Sequence, residues 1–140
     1  MVLDADKTTV PDDPLFGVAT HVIFSAECLS ATTGRLDLAD ALQVAARHTG
    51  AFLAVSSGPG DILFMESGAV RQMPVFRVHA VDTLGAGDAL HGGFALALAE
   101  GADEAAALRF GAAVAGLKCT RIGGAGGMPG RAEVAALLAG

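Results

Sequence analysis

The chain has 140 residues and a formal net charge of −6 at pH 7, a length that suits one domain and is short for two. Hydrophobic residues make up 52% of it and charged residues 17%, which excludes a disordered chain and predicts a buried core. Without a basic patch, nucleic acid is not expected as a partner; every apolar stretch meets Gly, Glu or Arg before the ~20 residues that a membrane span needs, so no membrane is expected either.

Met1 to Asp4 is a short apolar run ending in carboxylates, preceding a second run, His21 to Ser25. Asp4, Asp6 and Lys7 interrupt any signal-peptide core. Asp37 reads as the N-cap of a helix whose Leu38, Ala41, Leu42 and Ala45 share one face, with Gly50 closing it. Ala51 to Ser56 lacks polar alternation, as expected of a strand covered on both faces. Ile62 to Met65 and Val70 to Phe76 flank Ser67-Gly68 and predict a hairpin. The apolar run Pro74 to Ala80 reads as a strand, followed by a glycine turn and then by a helix from Ala89 to Glu100 that stops at Gly101. Asp103 caps a further helix with Phe110, Val114 and Leu117 inward at i, i+4, i+7. Gly123 to Gly130 is a glycine-rich loop, and Arg131 to Ala139 a last helix with Val134, Leu137 and Leu138 inward. Strands alternating with helices predict a three-layer α/β domain with a mainly parallel sheet. Cys28 and Cys119 have no metal-type spacing to His and read as buried free thiols of a cytoplasmic protein.

The chemistry concentrates in Val81-Asp82-Thr83-Leu84-Gly85-Ala86-Gly87-Asp88. A glycine turn at a helix N-terminus gathers free backbone N–H groups at the positive end of the helix dipole, which suits a phosphate. Asp88 places a carboxylate in that cradle, an arrangement suited to deprotonating a hydroxyl beside a phosphoryl group. A Walker loop is excluded because Gly92-Gly93-Phe94 follows with no lysine, and a dinucleotide fingerprint fails because Asp88-Ala89-Leu90 follows Gly87.

The string Asp-Thr-x-Gly-Ala-Gly-Asp with Gly92-Gly93 after it resembles the signature of the ribokinase/phosphofructokinase-B family of carbohydrate kinases. The similarity continues through Phe94-Ala95-Leu96-Ala97, Glu100-Gly101, Ala107 to Phe110 and Cys119-Thr120-Arg121-Ile122-Gly123-Gly124 to Pro129, and covers the chain best from about Ala51 onward. It implies a three-layer α/β/α ribokinase-like fold and ATP-dependent phosphorylation of a sugar, a ketose or related sugar by the run His91 to Gly101. Asp88 would be the general base, and the N–H groups of Gly85, Ala86 and Gly87 the anion hole for the transferred phosphoryl group. Asp88 as a simple helix cap is the alternative.

By the same resemblance Ser56 and Gly58, in Val55-Ser56-Ser57-Gly58-Pro59-Gly60-Asp61, contact the nucleotide phosphates, although Asp61 stands where the family has glycine. Ala112, Ala113 and Gly116 correspond to the adenine pocket wall, with close helix packing as the alternative. Two adjacent glycines, Gly92 and Gly93, imply a close approach of backbone or ligand, since each costs roughly 0.8–1 kcal/mol against alanine in a helix. A monovalent cation such as K+ would be held by Asp82 and by the carbonyls of Leu84, Cys119, Ile122 and Gly124; alternatively Asp82 orients the turn through backbone hydrogen bonds. Magnesium would accompany ATP, but Ser25-Ala26-Glu27-Cys28 lacks the family's Asn, and Asp4 and Asp6 are either its partners or solvated. His91 reaches the acceptor sugar or packs locally.

Family members are roughly twice this length. The resemblance therefore implies that residues 1–140 are the C-terminal nucleotide-binding and catalytic lobe, without the N-terminal half that grips the sugar and carries the lid. A shortened reading frame, an isolated C-terminal part and one half of a two-chain enzyme all fit. Association is expected, either as a homo-oligomer or with a complementary N-terminal half, because an apolar edge would otherwise be exposed.

Overall fold

The computed structural model describes residues 1–140. They form two compact units, Met1–Pro74 and Val75–Gly140.

The first unit is built on a five-stranded sheet. Strands β1 (Val2–Ala5), β2 (His21–Ser25), β3 (Phe52–Ser56), β4 (Ile62–Glu66) and β5 (Ala69–Met73) lie side by side in chain order. β1, β2 and β3 are parallel, with Val22 opposite Leu53 and Phe24 opposite Val55; β4 and β5 extend this parallel half as an antiparallel hairpin. Val22, Phe24, Leu53 and Val55 join the core of the unit. Ile23 and Ala54, which point to the opposite face, are also fully buried. That explains why these strands read as continuous apolar runs. The hairpin turns on Ser67 (φ 50°) and Gly68 (φ 79°), the pair of positive φ values that a two-residue type I′ turn requires.

Three helices connect the parallel strands. α3 (Leu38–Ala45) starts as expected, the Asp37 carboxylate accepting from the Asp40 N–H at 2.8 Å. It ends at Ala46, whose N–H donates to the Leu42 carbonyl, so Gly50 lies beyond its close. Two helices, α1 (Pro14–Val18) and α2 (Ala26–Thr33), stand outside the expected elements. Both carry legible start signals: Asp13 accepts from the Leu15 N–H with Pro14 in the first turn, and Ser25 accepts from the Cys28 N–H. Phe16 and Phe24 pack with ring centroids 5.6 Å apart, and Leu29, Ala41 and Leu42 complete the core. Cys28 is buried there, and desolvation pushes its thiol above the ordinary range; Cys119 is only half-buried.

The expected strand from Pro74 to Ala80 is not formed: β5 ends at Met73. Pro74 has no N–H to continue a ladder. The alternation of Phe76 and Val78 serves a different purpose in the second unit. Both lie within 3.7 Å of where a Cβ on Gly116 would stand, and Arg109 stacks over the Phe76 ring at 5.0 Å. Gly116 belongs to α5 (Glu104–Cys119), which the Asp103 carboxylate caps through the Ala106 N–H at 2.8 Å.

α5 packs on α4 (Ala86–Ala99) through glycines. A Cβ on Gly93 would meet the Gly111 Cα at 2.9 Å, and one on Gly111 would meet the Leu90 carbonyl oxygen at 2.5 Å. Gly92 has open space around it, so close approach explains one glycine of the pair. The inward face of α5 is Ala107, Leu108, Gly111, Ala112 and Ala113; the expected stripe of Phe110, Val114 and Leu117 is only half-buried. Small residues win the contact face because the helices come closer than large side chains allow. α6 (Arg131–Ala139) follows a 3-10 turn at Ala125–Gly127 and buries Val134, with Leu137 and Leu138 half-buried. Ion pairs Arg131–Glu100 and Arg121–Glu133 tie α6 to the end of α4 and to the preceding loop. No helix is long and apolar enough to cross a membrane.

Candidate active site

The turn from Val81 to Asp88 hangs from the C-terminal end of α5. The Cys119 carbonyl accepts from the Val81 N–H at 2.8 Å and from the Asp82 N–H at 3.2 Å. The Asp82 carboxylate then clamps two loops: Oδ1 accepts from the Leu84 N–H at 2.9 Å and Oδ2 from the Gly123 N–H at 2.9 Å. These amides, the Leu84 N–H first and the Gly123 N–H next, hold the Asp82 pKa below the ordinary carboxylate value, and the Lys118 ammonium adds to the effect.

The Leu84 N–H begins the tight bend that delivers Gly85. Gly85 takes φ 77° and ψ 11° as the N-cap of α4, with no side-chain cap. A side chain at this φ would be strained, which is why glycine stands here. The first-turn amides of a helix have no intrahelical acceptor. Of the three expected anion-hole donors, the Ala86 N–H is directed to the Thr83 carbonyl at 3.1 Å. The amides of Gly85 and Gly87 remain for an external anion.

Asp88 lies in the first turn of α4. It is exposed and makes no capping hydrogen bond; its Oδ2 stands 3.8 Å from where a Gly85 Cβ would be. A carboxylate and a cluster of helix N-terminal amides thus share one surface. Beside Asp88 runs an open apolar groove, lined by Gly92, Leu96, Phe110, Val114 and Pro129 among others. His91 is anchored locally, its Nδ1 donating to the Gly87 carbonyl at 2.8 Å.

Other expected site residues are distributed over both units. In the second unit, Ala112 is buried and the Gly116 side of α5 faces Phe76 and Val78. In the first unit, Ser56 ends β3, and Gly58 is exposed in the turn after it. Asp61 is turned to the hairpin, where its Oδ2 accepts from Gln72 Nε2 at 2.5 Å. Asp4, Asp6 and Glu27 are exposed, and no group of three His, Cys, Asp or Glu side chains is placed to hold a metal ion.

One residue of this site escaped the sequence reading. Lys118 is 0% exposed, and its Nζ donates to the Asp82 carbonyl at 3.0 Å and lies 3.4 Å from Asp82 Oδ2. The signal was present: residue 118 falls ten positions after Leu108 and seven after Gly111, on the buried stripe of α5, where a charge needs a partner.

The carbohydrate kinase profile of the pfkB family matches residues 3–131. The chain belongs to the pfkB family of carbohydrate kinases. A ribokinase of Bacillus subtilis is 43% identical over 86 residues, which make up 61% of this chain and 29% of that protein. A ribokinase-like protein of Agrobacterium tumefaciens superposes with a TM-score of 0.90 at 39% identity, covering 99% of this chain and 47% of the other. A ribokinase of Arabidopsis thaliana, solved with ribose and ATP, superposes with a TM-score of 0.86 at 27% identity over 98% of this chain and 46% of its own. The α/β fold is therefore that of ribokinase-like pfkB proteins, and the chain spans less than half the length of the solved relatives it matches.

Proposed function

We propose that this chain carries the phosphoryl-transfer centre of an ATP-dependent sugar kinase, acting on a ketose or related sugar. One observation carries the reading: an exposed carboxylate, Asp88, without a capping role, beside the free amides of Gly85 and Gly87 at a helix N-terminus. Asp88 takes the proton of the acceptor hydroxyl as its oxygen attacks the γ-phosphorus of ATP in line, and the bond to the departing ADP breaks. Charge on the transferred phosphoryl oxygens meets the Gly85 and Gly87 amides and the positive end of α4, with the Ala86 N–H able to join if its bond to Thr83 opens. Ser56 and Gly58 contact the nucleotide phosphates, and Ala112 and Gly116 form part of the adenine wall. His91, one turn after Gly87 and bonded to its carbonyl, is the residue assigned to the acceptor.

Magnesium accompanies ATP, held by phosphates and water, as suits an ion that keeps much of its hydration; no acidic cluster of this chain is assigned to it. The residues expected to bind a monovalent cation do not fit one well. The Asp82 carboxylate already faces a buried ammonium, and the Cys119 carbonyl already accepts two amides.

Residues 1–140 act in this reading as the nucleotide-binding and catalytic lobe. A second reading, a non-catalytic nucleotide-binding or subunit-interaction remnant, is favoured by the Ala86 amide, which is engaged by the Thr83 carbonyl rather than left for a phosphoryl group. Calorimetry with ATP, run beside a kinase assay on a panel of sugars including ribose and fructose, decides between them. Turnover that Asp88→Asn lowers about 10²–10⁴-fold, with ATP binding kept, supports the kinase. ATP binding without turnover supports the remnant, and turnover unaffected by Asp88→Asn overturns the assignment of the base.

A further inference from the structure

Lys118 is the one fully buried cation of the chain, and its charge is directed to a single residue, Asp82. Burying an ammonium is costly unless it is paired and hydrogen-bonded, so neither packing nor helix propensity accounts for lysine at this position. The location is specific. Lys118 closes the last turn of α5, where a positive charge also meets the negative end of the helix dipole. The Asp82 carbonyl and carboxylate that it holds belong to the residue that clamps the Gly123 loop to the turn leading to Gly85. Asp82 is also the side chain among the ligands that the family resemblance assigns to a monovalent cation.

We infer that the Lys118 ammonium is the resident cation of the Asp82 turn. It supplies the positive charge that a bound monovalent ion would bring, so the anion-hole turn of this chain is set without K+. Lys118 is a positioning residue: it touches neither nucleotide nor acceptor and acts through Asp82. The inference rests on the proposed kinase reading only for the use to which the turn is put; the charge arrangement itself is independent of it.

Thermal unfolding of the chain, without nucleotide, in KCl and in tetramethylammonium chloride at equal ionic strength tests this directly. Equal midpoints in the two salts are expected, because an ion that binds only the folded state raises the midpoint as its concentration rises. A saturable, K+-specific rise in the wild-type chain overturns the inference. Lys118→Met, which keeps the length and removes the charge, is expected to unfold at lower temperature and to gain stability from K+ or NH4+ but not from tetramethylammonium. A Lys118→Met chain that matches the wild type in every salt overturns it as well. Should Lys118→Met fail to fold, Lys118→Arg decides: it is expected to fold and stay indifferent to K+, and an acquired K+ requirement overturns the proposal. ATP calorimetry in the same two salts separates the two readings. No ATP binding in either salt, with the thermal results as expected, removes the kinase reading and leaves the cation assignment standing.

Discussion

Gly93 of α4 and Gly111 of α5 approach so closely that a Cβ on Gly93 would stand 2.9 Å from the Gly111 Cα and 3.0 Å from the Val114 Cγ2. The adjacent Gly92 has nothing within 4 Å of its would-be Cβ. Gly93→Ala must therefore separate the helices, a cost of about 1–3 kcal/mol for overpacking that offsets the gain in helix propensity. Gly92→Ala should stabilise by up to ~1 kcal/mol, since only the propensity term remains. Urea unfolding midpoints of the two variants check the contrast, and a Gly93→Ala chain as stable as Gly92→Ala would refute it.

Asp82 makes stability depend on pH. Its folded-state pKa lies below the unfolded value of about 3.9 because the Leu84 and Gly123 amides, and then Lys118, favour the charged form. The stabilisation is fully present above the unfolded pKa and is lost as pH falls through the folded one. Glu100, through its bond from Arg131, and Glu133, through its bond from Arg121, shift in the same direction. Unfolding midpoints should fall steadily below about pH 4. Asp82→Asn should be less stable than the wild type at pH 7 and approach it toward about pH 3; a gap that stays constant across that range would exclude the carboxylate as the cause.

Asp88 is exposed and makes no capping bond. Its removal should therefore cost the fold no more than about 1 kcal/mol, the value of a negative charge near a helix N-terminus. Asp88→Asn is expected to unfold within a few degrees of the wild type while losing turnover. A large drop in the unfolding temperature would instead make Asp88 a structural residue.

Ser67 has φ 50° beside Gly68 at φ 79°. Asparagine tolerates the left-handed region better than serine and is preferred before glycine in such turns. Ser67→Asn should stabilise the chain by several tenths of a kcal/mol, read from its urea midpoint. A loss of stability would mean that the Ser67 side chain has a role beyond the turn.

Where one local rule governs, the chain was legible. The buried parallel strands, the Asp37 and Asp103 caps and the Ser67-Gly68 hairpin each follow from a few neighbouring residues. The Pro74–Ala80 segment was misread because alternation of Phe76 and Val78 is the same whether the partner is a strand or the face of α5 that carries Gly116. The inward face of α5 differs from the expected stripe because periodicity weights large residues, whereas the close contact with α4 is made by Gly111 beside Val114, and Ala112 and Ala113 are buried next to them. In the site, the motif from Asp82 to Asp88 is written contiguously and could be read whole. Lys118 is joined to it across 36 positions of sequence, and only the folded chain brings the two together.

The Cys119 carbonyl holds the amides of both Val81 and Asp82, and Lys118, one residue earlier, holds the Asp82 carbonyl. The last turn of α5 is thus a handle on the turn that leads into α4. A substitution that frays this helix end would loosen three hydrogen bonds at once and blur the aim of the Gly85 and Gly87 amides while leaving Asp88 itself unchanged. Evolution or engineering could therefore re-aim these amides from a helix terminus, with no change in the turn itself.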